Sequence, residues 1–213
     1  MEGESYAIRD ACRARLVPYT LRALAAIPLG TEPSLLDAGC GTGVPTLAVA
    51  RVCGGRIDAV DTDAAQISWL QTKVNAAGMA ATVRAICGSI TDTALCPGPY
   101  DAVIAEGLLN VIGTERGLRL LVDRTRHGGH LLIHDEYAND ADKRALFSSM
   151  GLALVYTAVL DPSVWWEEYY SCLDGHIRAR HDPSRYQTER DEIAAYRRNP
   201  DACASIYYVL KKE

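Results

Sequence analysis

Three glycines and a carboxylate stand close together in the segment LLDAGCGTGVPTLAVA, residues 35–50. Gly39, Gly41 and Gly43 occupy every second position after Asp37. They lie between a short apolar run and a segment with helical spacing. Glycine permits positive φ and lets a ligand approach the bare backbone, and the first turn of a helix offers free amide groups. The pattern predicts a loop that binds a cofactor.

The spacing of the glycines distinguishes between two kinds of cofactor. A dinucleotide fingerprint reads G-x-G-x-x-G and holds a pyrophosphate at the helix N-terminus. This chain reads G-x-G-x-G, and Val44 stands where the third glycine of that fingerprint would be. Asp37 is unfavourable beside a pyrophosphate and suits a ligand that carries an ammonium group. A nicotinamide-dependent oxidoreductase on the same sheet remains an alternative, because Asp61 could bind a ribose there as well.

Alternating strands and helices must position this loop. Short apolar runs predict strands at SLLDAG, RIDAVD, ATVRAICG, YDAVIAEG and GGHLLIHD. A helix is predicted at VPTLAVARVCGG, with Pro45 in its first turn and Gly54 at its end. A second is predicted at DAAQISWLQTKVNAAG, where Asp63 and Gln66 fit a capping box and Gly78 ends the helix. A third is predicted over about 113–126. The alternation predicts a parallel sheet with helices on both faces. Ligands of such sheets bind at the carboxyl ends of the strands.

The two ends of the chain follow other patterns. Residues 5–26 are predicted to be helical with a break at Pro18. LALVYTAVL and SIYYVL are predicted strands, and two polar helices lie between them at about 163–181 and 185–198. Four residues share one face of the first of these helices: Trp166, Tyr170, Leu173 and Ile177. We expect one domain over 1–213, with 1–28 as a helical lid and 161–202 as a helical insertion over the acceptor pocket.

Composition narrows the class of protein. The 213 residues are 48% apolar and 23% charged, which suits one domain with a full core. The net charge of −5 does not favour nucleic acid or an anionic membrane as partner. No signal peptide or membrane span is evident, so we expect a cytoplasmic protein. The seven cysteines are odd in number and dispersed, which predicts reduced, packed thiols instead of a disulfide framework or a zinc site.

With these motifs the sequence resembles the class I S-adenosylmethionine-dependent methyltransferases. LLDAGCGTG matches their first motif and AVDTD their second, while YDAVIAEGLLNVIG and GGHLLIHDE match the regions of strands four and five. The resemblance covers roughly residues 30–160, and the closing strand at 205–210 also fits. It implies a Rossmann-like, doubly wound α/β fold, whose seven-stranded sheet is mostly parallel with an antiparallel last strand. It also implies methyl transfer from S-adenosyl-L-methionine to a small molecule, with S-adenosyl-L-homocysteine as product.

The resemblance implies roles for the glycine loop and the second strand. The loop Gly39–Gly43, with Cys40 and Gly41 inside it, would pass under the methionine part of the cofactor. Asp37 would lie near the amino end of the cofactor. Asp61 would accept hydrogen bonds from both ribose hydroxyls, and a carboxylate suits a vicinal diol.

The adenine site is implied in the same way. Thr62 would border the adenine. Ser89 stands where many members of the family carry an acidic residue near the adenine amino group, and its hydroxyl can still accept that hydrogen bond. Ile90 would cover the ring.

Methyl transfer is an in-line displacement, so the protein mainly aligns donor and acceptor. A base is needed only when the acceptor must lose a proton. Glu106 follows strand four without the N/D-P-P-Y/F pattern of nucleic-acid and glutamine methyltransferases, and it is a candidate to contact the cofactor or orient the acceptor. His134 follows strand five and is the candidate base. His130 and His134 with Asp135 or Glu136 would be the alternative of a metal site, although we expect no metal.

Aromatic residues are the candidates for the acceptor pocket. They are Tyr6, Trp165, Trp166, Tyr169 and Tyr170. For Trp166 and Tyr170, packing in the core is an equal alternative. A protein that binds S-adenosylmethionine without transferring the methyl group and a protein methyltransferase are further alternatives. The sequence leaves the acceptor and the oligomeric state open.

Overall fold

The protein is described by a computed structural model that covers residues 2–213; residue 1, which begins the predicted lid and domain, lies outside the described residues. Its strands are β1 (Ser34–Ala38), β2 (Arg56–Asp61), β3 (Val83–Cys87), β4 (Tyr100–Glu106), β5 (Thr125–Glu136), β6 (Leu152–Leu160) and β7 (Ser205–Lys212). Its α-helices are α1 (Glu2–Arg13), α2 (Val17–Leu24), α3 (Val44–Cys53), α4 (Ala64–Ala76), α5 (Leu109–Ile112), α6 (Thr114–Arg124), α7 (Asp140–Ser149), α8 (Pro162–Val164), α9 (Ser171–Arg178) and α10 (Gln187–Arg198). No helix within residues 2–213 is long and apolar enough to cross a membrane.

The strands form one seven-stranded sheet in the order β3-β2-β1-β4-β5-β7-β6. β7 runs antiparallel to both of its neighbours, and the other pairs are parallel. This confirms the predicted fold class. The order places the ends of β1, β2, β4 and β5 side by side, and Glu106 is paired with His134 in the β4–β5 register.

Successive residues of the central strands point to opposite faces and are buried on both. Leu35 and Ile104 contribute to a cluster with α1, α2 and the helices after β6, whereas Leu36 and Val103 pack on the other face against α6 and α7. Such two-sided burial is expected for parallel strands covered by helices. The sheet therefore holds its carboxyl edge rigidly, and the polar residues at that edge are fixed in position.

The predicted helix limits are mostly confirmed, with two corrections. Asp63 begins α4 as its N-cap and Gly54 ends α3, as predicted. Gln66 does not complete the capping box through the backbone, because the Asp63 N–H donates to Asp61 instead. The N-terminal helix breaks not at Pro18 but over Ala14–Leu16, a 3-10 turn; Pro18 lies in the first turn of α2, where a missing amide costs nothing.

One prediction about the cysteines is wrong. Cys12 of α1 and Cys172 of α9 form a disulfide, with their Cα atoms 5.5 Å apart. Their separation of 160 residues carries no signal in the sequence, because the two meet only when α1 packs against the helices after β6. Cys40, Cys53 and Cys96 are buried free thiols, as predicted.

Candidate active site

The glycine loop joins β1 to α3 in a conformation that requires glycine. Gly39, Gly41 and Gly43 have φ values of 72°, 54° and 75°, in the left-handed region. Gly43 is also the residue before the first turn of α3, and a Cβ on it would lie 2.3 Å from the Leu70 Cδ1 atom. Conformation and close packing together explain why this position carries no side chain.

The end of β2 braces the same loop. The amides of Gly39 and Cys40 donate to the Val60 carbonyl at 2.9 and 3.1 Å. The Gly41 N–H donates to the Asp61 Oδ2 atom at 2.8 Å, and Asp61 Oδ1 accepts the Asp63 N–H at 2.9 Å. A carboxylate has about four acceptor positions, so Asp61 can hold the loop and still accept further hydrogen bonds.

A cavity of about 340 Å³, here called the first cavity, lies between the glycine loop and α1. The residues predicted from the sequence that line it are Tyr6, Asp37, Gly39, Cys40, Gly41, Glu106 and Tyr169. Its size lies at the lower end of the range for small-molecule sites. One wall is thus exposed backbone, and the opposite wall consists of side chains from α1.

Asp37 forms the acidic floor of the first cavity. The side chain is buried, and its Oδ2 atom accepts a hydrogen bond from the Thr46 hydroxyl at 2.6 Å. Burial raises the pKa of Asp37 to about 7, and the nearby carboxylates of Glu106 and Asp61 add to the effect. A ligand that brings a positive charge would favour the ionised form and bind tightly there.

Helix α1 closes the first cavity through Asp10. Its carboxylate accepts hydrogen bonds from the Thr42 hydroxyl at 2.5 Å and from the Trp69 indole at 2.9 Å, and it forms an ion pair with Lys73. These contacts join α1 to the glycine loop and to α4. Asp10 cannot be recognised from the sequence, because nothing in its local pattern points to partners so distant in the chain.

Glu106 and His134 meet at the ends of β4 and β5. The Glu106 Oε2 atom lies 3.8 Å from His134 Nδ1 and accepts a hydrogen bond from Arg13 at 3.3 Å. Its Oε1 atom accepts the Thr20 hydroxyl at 2.6 Å. On the other side of the imidazole, His134 Nε2 lies 2.8 Å from the Ser205 hydroxyl oxygen. The structure thus brings together the two residues that the sequence singled out as catalytic candidates.

Aromatic rings hold the imidazole in place. The ring of Tyr207 stacks on the His134 ring with centroids 4.0 Å apart. The Trp165 ring lies nearly parallel to the His134 ring, with centroids 5.9 Å apart. The Trp165 indole N–H donates to the Ser205 hydroxyl oxygen at 2.9 Å. Ser205 and Tyr207 lie in the predicted strand SIYYVL, and nothing in its pattern indicates that they contact a residue of the site.

The electrostatics of this pair favour an ionised Glu106 beside a neutral His134. Burial opposes the charged form of the Glu106 carboxyl, but contacts with His134, Arg13 and Thr20 outweigh it, and its pKa lies below the usual value. Burial also lowers the pKa of His134, and the nearby carboxylate only partly offsets this. A neutral imidazole can accept a proton, and the ionised carboxylate would stabilise the cation that results.

A second cavity of about 250 Å³ adjoins this pair. Its lining includes Arg13, which also lines the first cavity, and Gly107, which follows Glu106. Trp165 and Tyr170 form its aromatic wall, and His134, Asp135, Glu136 and Ser205 form much of its polar wall. The two cavities therefore share Arg13, and Glu106 of the first cavity directly precedes Gly107 of the second.

Other predicted residues line neither cavity. They are Gly43, Asp61, Thr62, Ser89, Ile90 and Trp166. The Ser89 hydroxyl is 2.8 Å from that of Thr91, and Ile90 packs in the core. Trp166 stacks on Tyr196, which is the packing alternative considered for it.

The residues of the alternative metal site, His130 and His134 with Asp135 or Glu136, do not form a group of close potential ligands within residues 2–213. Within residues 2–213, one group of three potential ligands lies close enough together to hold an ion. It consists of His176 and the two sulfurs of the Cys12–Cys172 disulfide, not of His130, His134 and the adjacent acids.

Comparison with known proteins agrees with this geometry. Residues 35–129 match the family model described as methyltransferase domain. The chain is 29% identical over 153 residues to a ribosomal protein L11 methyltransferase from Burkholderia mallei, which covers 70% of this chain and 44% of that protein. It is 32% identical over 109 residues to an uncharacterized protein from Synechococcus, covering 49% of this chain and 26% of that protein. The chain thus spans less than half the length of these curated relatives.

Solved structures of the same fold cover nearly the whole chain. The cyclase SpnF aligns with a TM-score of 0.74 at 18% identity, covering 93% of this chain and 81% of that one. A geranyl diphosphate methyltransferase in complex with SAM aligns at 0.68 and 15% identity, covering 92% and 85%. A methyltransferase from Geobacter sulfurreducens in complex with S-adenosyl-L-homocysteine aligns at 0.68 and 17% identity, covering 92% and 91%. At these identities the likeness establishes the fold.

The strand order, the glycine loop after β1 and the structural comparisons define the fold. Residues 35–129 match a methyltransferase domain, and the whole sheet has the fold of the class I S-adenosylmethionine-dependent methyltransferases.

Proposed function

We propose that the protein transfers a methyl group from S-adenosyl-L-methionine, bound in the first cavity, to a small molecule bound in the second cavity, with release of S-adenosyl-L-homocysteine. One observation carries the proposal: Arg13 lines both cavities, and Glu106 of the first is followed by Gly107 of the second, at the carboxyl end of β4. A donor and an acceptor in adjoining sites can align for in-line displacement.

The first cavity suits this cofactor. Left-handed glycines leave the backbone bare along one wall, and Asp37 offers a buried carboxylate for the ammonium group of the methionine part. Gly39, Cys40 and Gly41 would lie along that part. A dinucleotide would instead bring a pyrophosphate against Asp37, which is unfavourable.

The remaining cofactor roles extend beyond the first cavity. Asp61 would accept the ribose hydroxyls with the acceptor positions that Gly41 and Asp63 leave free. Thr62, Ser89 and Ile90 would border the adenine at the neighbouring strand ends. Weaker binding by Asp61→Asn, measured well below the melting temperature of the variant, would support the ribose role.

The methyl group on a sulfonium is already activated, so the protein aligns it and accepts any proton that the acceptor loses. The ionised Glu106 favours a proton on His134 Nδ1, which leaves Nε2 to accept from Ser205. A proton from the acceptor would pass through the Ser205 hydroxyl to Nε2, and Glu106 would stabilise the resulting imidazolium. Glu106 and His134 are thus the proposed catalytic residues.

Helix α1 and residues 161–204 are proposed to cover the two sites. Arg9 of α1 forms ion pairs with Glu189 and Glu192 of α10, and Arg15 with Glu168. Together with the disulfide, these contacts join the N-terminal lid to the helices after β6. Disulfides are uncommon in reducing compartments, so the cytoplasmic location predicted from the sequence needs a test by cell fractionation.

Two comparisons define alternatives to this proposal. The Burkholderia relative is named for a ribosomal protein, which would make the acceptor a protein. SpnF is named as a cyclase, so the fold is not confined to methyl transfer. We favour a small molecule because the second cavity is compact and lies beneath the helices after β6.

Transfer of a deuterated methyl group tests the proposal. The protein is incubated with S-adenosylmethionine labelled on the methyl carbon and a cell extract, and mass spectrometry follows the label in the small-molecule and protein fractions. We expect label in the small-molecule fraction, and loss of about 100-fold in rate with Glu106→Gln. Label in the protein fraction would assign a protein acceptor, and label in neither would contradict methyl transfer.

A further inference from the structure

Cys12, Cys172 and His176 lie together where α1 packs against α9, outside the lining of both cavities. The two sulfur atoms and a ring nitrogen of His176 all lie within 4.8 Å of one another. The proposed methyl transfer uses none of these three side chains. Their chemistry is therefore open to another role.

The helical spacing explains how these residues converge. Cys172 and His176 stand four positions apart within α9, so their side chains share one face of the helix. Two ligands at this spacing can reach the same metal ion, as the two histidines of the H-E-x-x-H motif do. Cys12 of α1 supplies a third ligand from the facing helix.

The donor set selects the kind of metal ion. Thiolates and an imidazole suit zinc, whereas magnesium and calcium prefer oxygen ligands. Tetrahedral zinc, with Zn–S bonds of about 2.3 Å, holds two sulfurs about 3.8 Å apart. Once the S–S bond is reduced, rotation about the Cα–Cβ bonds lets the sulfurs of Cys12 and Cys172 reach that separation.

The surroundings suit an ion with three protein ligands. Cys12 is buried, Cys172 is half-buried and both belong to the apolar cluster around α1, whereas His176 is exposed. The exposed side gives an ion its entry path and leaves a fourth position for water. The cations on α1 next to Cys12, Arg9 and Arg13, are already paired with carboxylates of other segments.

We infer that Cys12, Cys172 and His176 bind a zinc ion when the disulfide is reduced. The disulfide and the zinc complex exclude each other, because each uses both sulfurs. Zinc then attaches α1 to α9 under reducing conditions, as the disulfide does under oxidising conditions. This inference does not depend on the proposed function.

The exchange of the disulfide for zinc balances with a named reductant. A phosphine supplies the two electrons that break the S–S bond and is oxidised to a phosphine oxide, with oxygen from water. Each sulfur receives one proton from that water. Zinc binding then forms two Zn–S bonds and one Zn–N bond, and both thiol protons pass to solvent.

Zinc uptake by the intact chain tests the inference. The protein is reduced with a phosphine, freed of reductant and metal without oxygen, and titrated with zinc against a chromogenic chelator. We expect about one zinc ion per reduced chain, and at least about tenfold weaker binding by the oxidised chain, which lacks thiolates. Zinc should also restore the melting temperature that reduction lowers.

Variants with matched controls locate the zinc. Cys12→Ser should abolish tight uptake, and His176→Gln should weaken it at least about tenfold. Cys87→Ser removes an exposed free thiol and His181→Gln an exposed histidine after α9, and both should bind zinc as the wild type does.

Cobalt provides a second readout that needs no variant. Bound to the reduced wild type in place of zinc, it should show thiolate-to-metal absorption. Failure of the reduced wild type to take up zinc, or a cobalt complex without that absorption, would overturn the inference. Equal uptake by the oxidised chain or by His176→Gln would also overturn it, because the zinc would then lie elsewhere.

Discussion

The two cavities are built in different ways. The first depends on the backbone of one short loop, Gly39–Gly43, and on carboxylates at the ends of the strands beside it. The second depends on side chains drawn from the whole chain, from Arg13 to Ser205. A cofactor site of the first kind tolerates little change in its loop, whereas a site of the second kind can change its ligand through a few side chains.

The largest expected effect concerns the loop. Gly43→Ala would place a Cβ in the left-handed region and 2.3 Å from Leu70, and we expect the free energy of unfolding to fall by about 3–5 kcal/mol. Gly78→Ala is the control, since its φ is 67° but a Cβ there meets nothing within 4 Å; it should cost only about 1–2 kcal/mol. Urea denaturation measures both. Equal costs would show that packing around the loop is not what makes it rigid.

The next effect concerns the link between α1 and α9. Cys12→Ser should lower the free energy of unfolding by about 2–4 kcal/mol, because the unfolded chain loses a cross-link. It should also speed the release of S-adenosylhomocysteine, since α1 supplies Tyr6 and Asp10 to the first cavity. Thermal denaturation and stopped-flow release measure these changes.

A reductant provides the control for this prediction. Added to the wild-type protein, it should reproduce the loss of stability, and it should have no effect on Cys12→Ser. Cys53→Ser tests a buried free thiol that plays no part in the link. A wild-type melting temperature that is indifferent to reductant would contradict the prediction.

A smaller effect separates stability from binding at Asp37. The pKa of Asp37 in the folded state is about 7, above its ordinary value, because burial favours the protonated carboxyl. The protonated carboxyl therefore adds to the free energy of unfolding in full below about pH 4, and this gain is lost as the pH rises through 7. Asp37→Asn should therefore be more stable than wild type at pH 8, and about equally stable at pH 4.

The same substitution should weaken binding of S-adenosylhomocysteine about tenfold or more at pH 8, because the ammonium group loses its charged partner. In the wild type, affinity should fall as the pH drops below 7, since the carboxyl must first lose a proton. Calorimetry at several pH values measures both effects. A pH-independent wild-type affinity would remove Asp37 from the ammonium site.

The smallest effect compares adjacent tryptophans of the helical segment. Trp165 lines the second cavity and donates to Ser205, whereas Trp166 packs on Tyr196 outside it. Trp165→Phe should raise the KM for the acceptor several-fold, equivalent to about 1 kcal/mol, and Trp166→Phe should not. Steady-state kinetics with the acceptor from the label-transfer experiment measures the difference. Equal effects would remove the distinction between the two positions.

The difference between the cavities also explains what the sequence could predict. The strand order and the glycine loop depend on local signals, because strand periodicity, Gly39–Gly43 and the Asp63 N-cap each act within a few residues. The same local signals placed Asp37 and Glu106 at strand ends, where the fold brings them together.

Contacts between distant segments carry no local signal. Cys12 and Cys172, like Asp10 and Thr42, become neighbours only after α1 has packed in place. The aromatic residues illustrate the limit: helical spacing could not separate Trp165, which lines the second cavity, from Trp166, which stacks on Tyr196.

Calorimetric titration of the wild-type protein with S-adenosyl-L-homocysteine and, separately, with NAD tests the central claim most directly. We expect binding of S-adenosylhomocysteine with a Kd of roughly micromolar order and no binding of NAD, because the loop and Asp37 suit an ammonium group and not a pyrophosphate. Binding of NAD without S-adenosylhomocysteine would contradict it and would assign the first cavity to a nicotinamide cofactor.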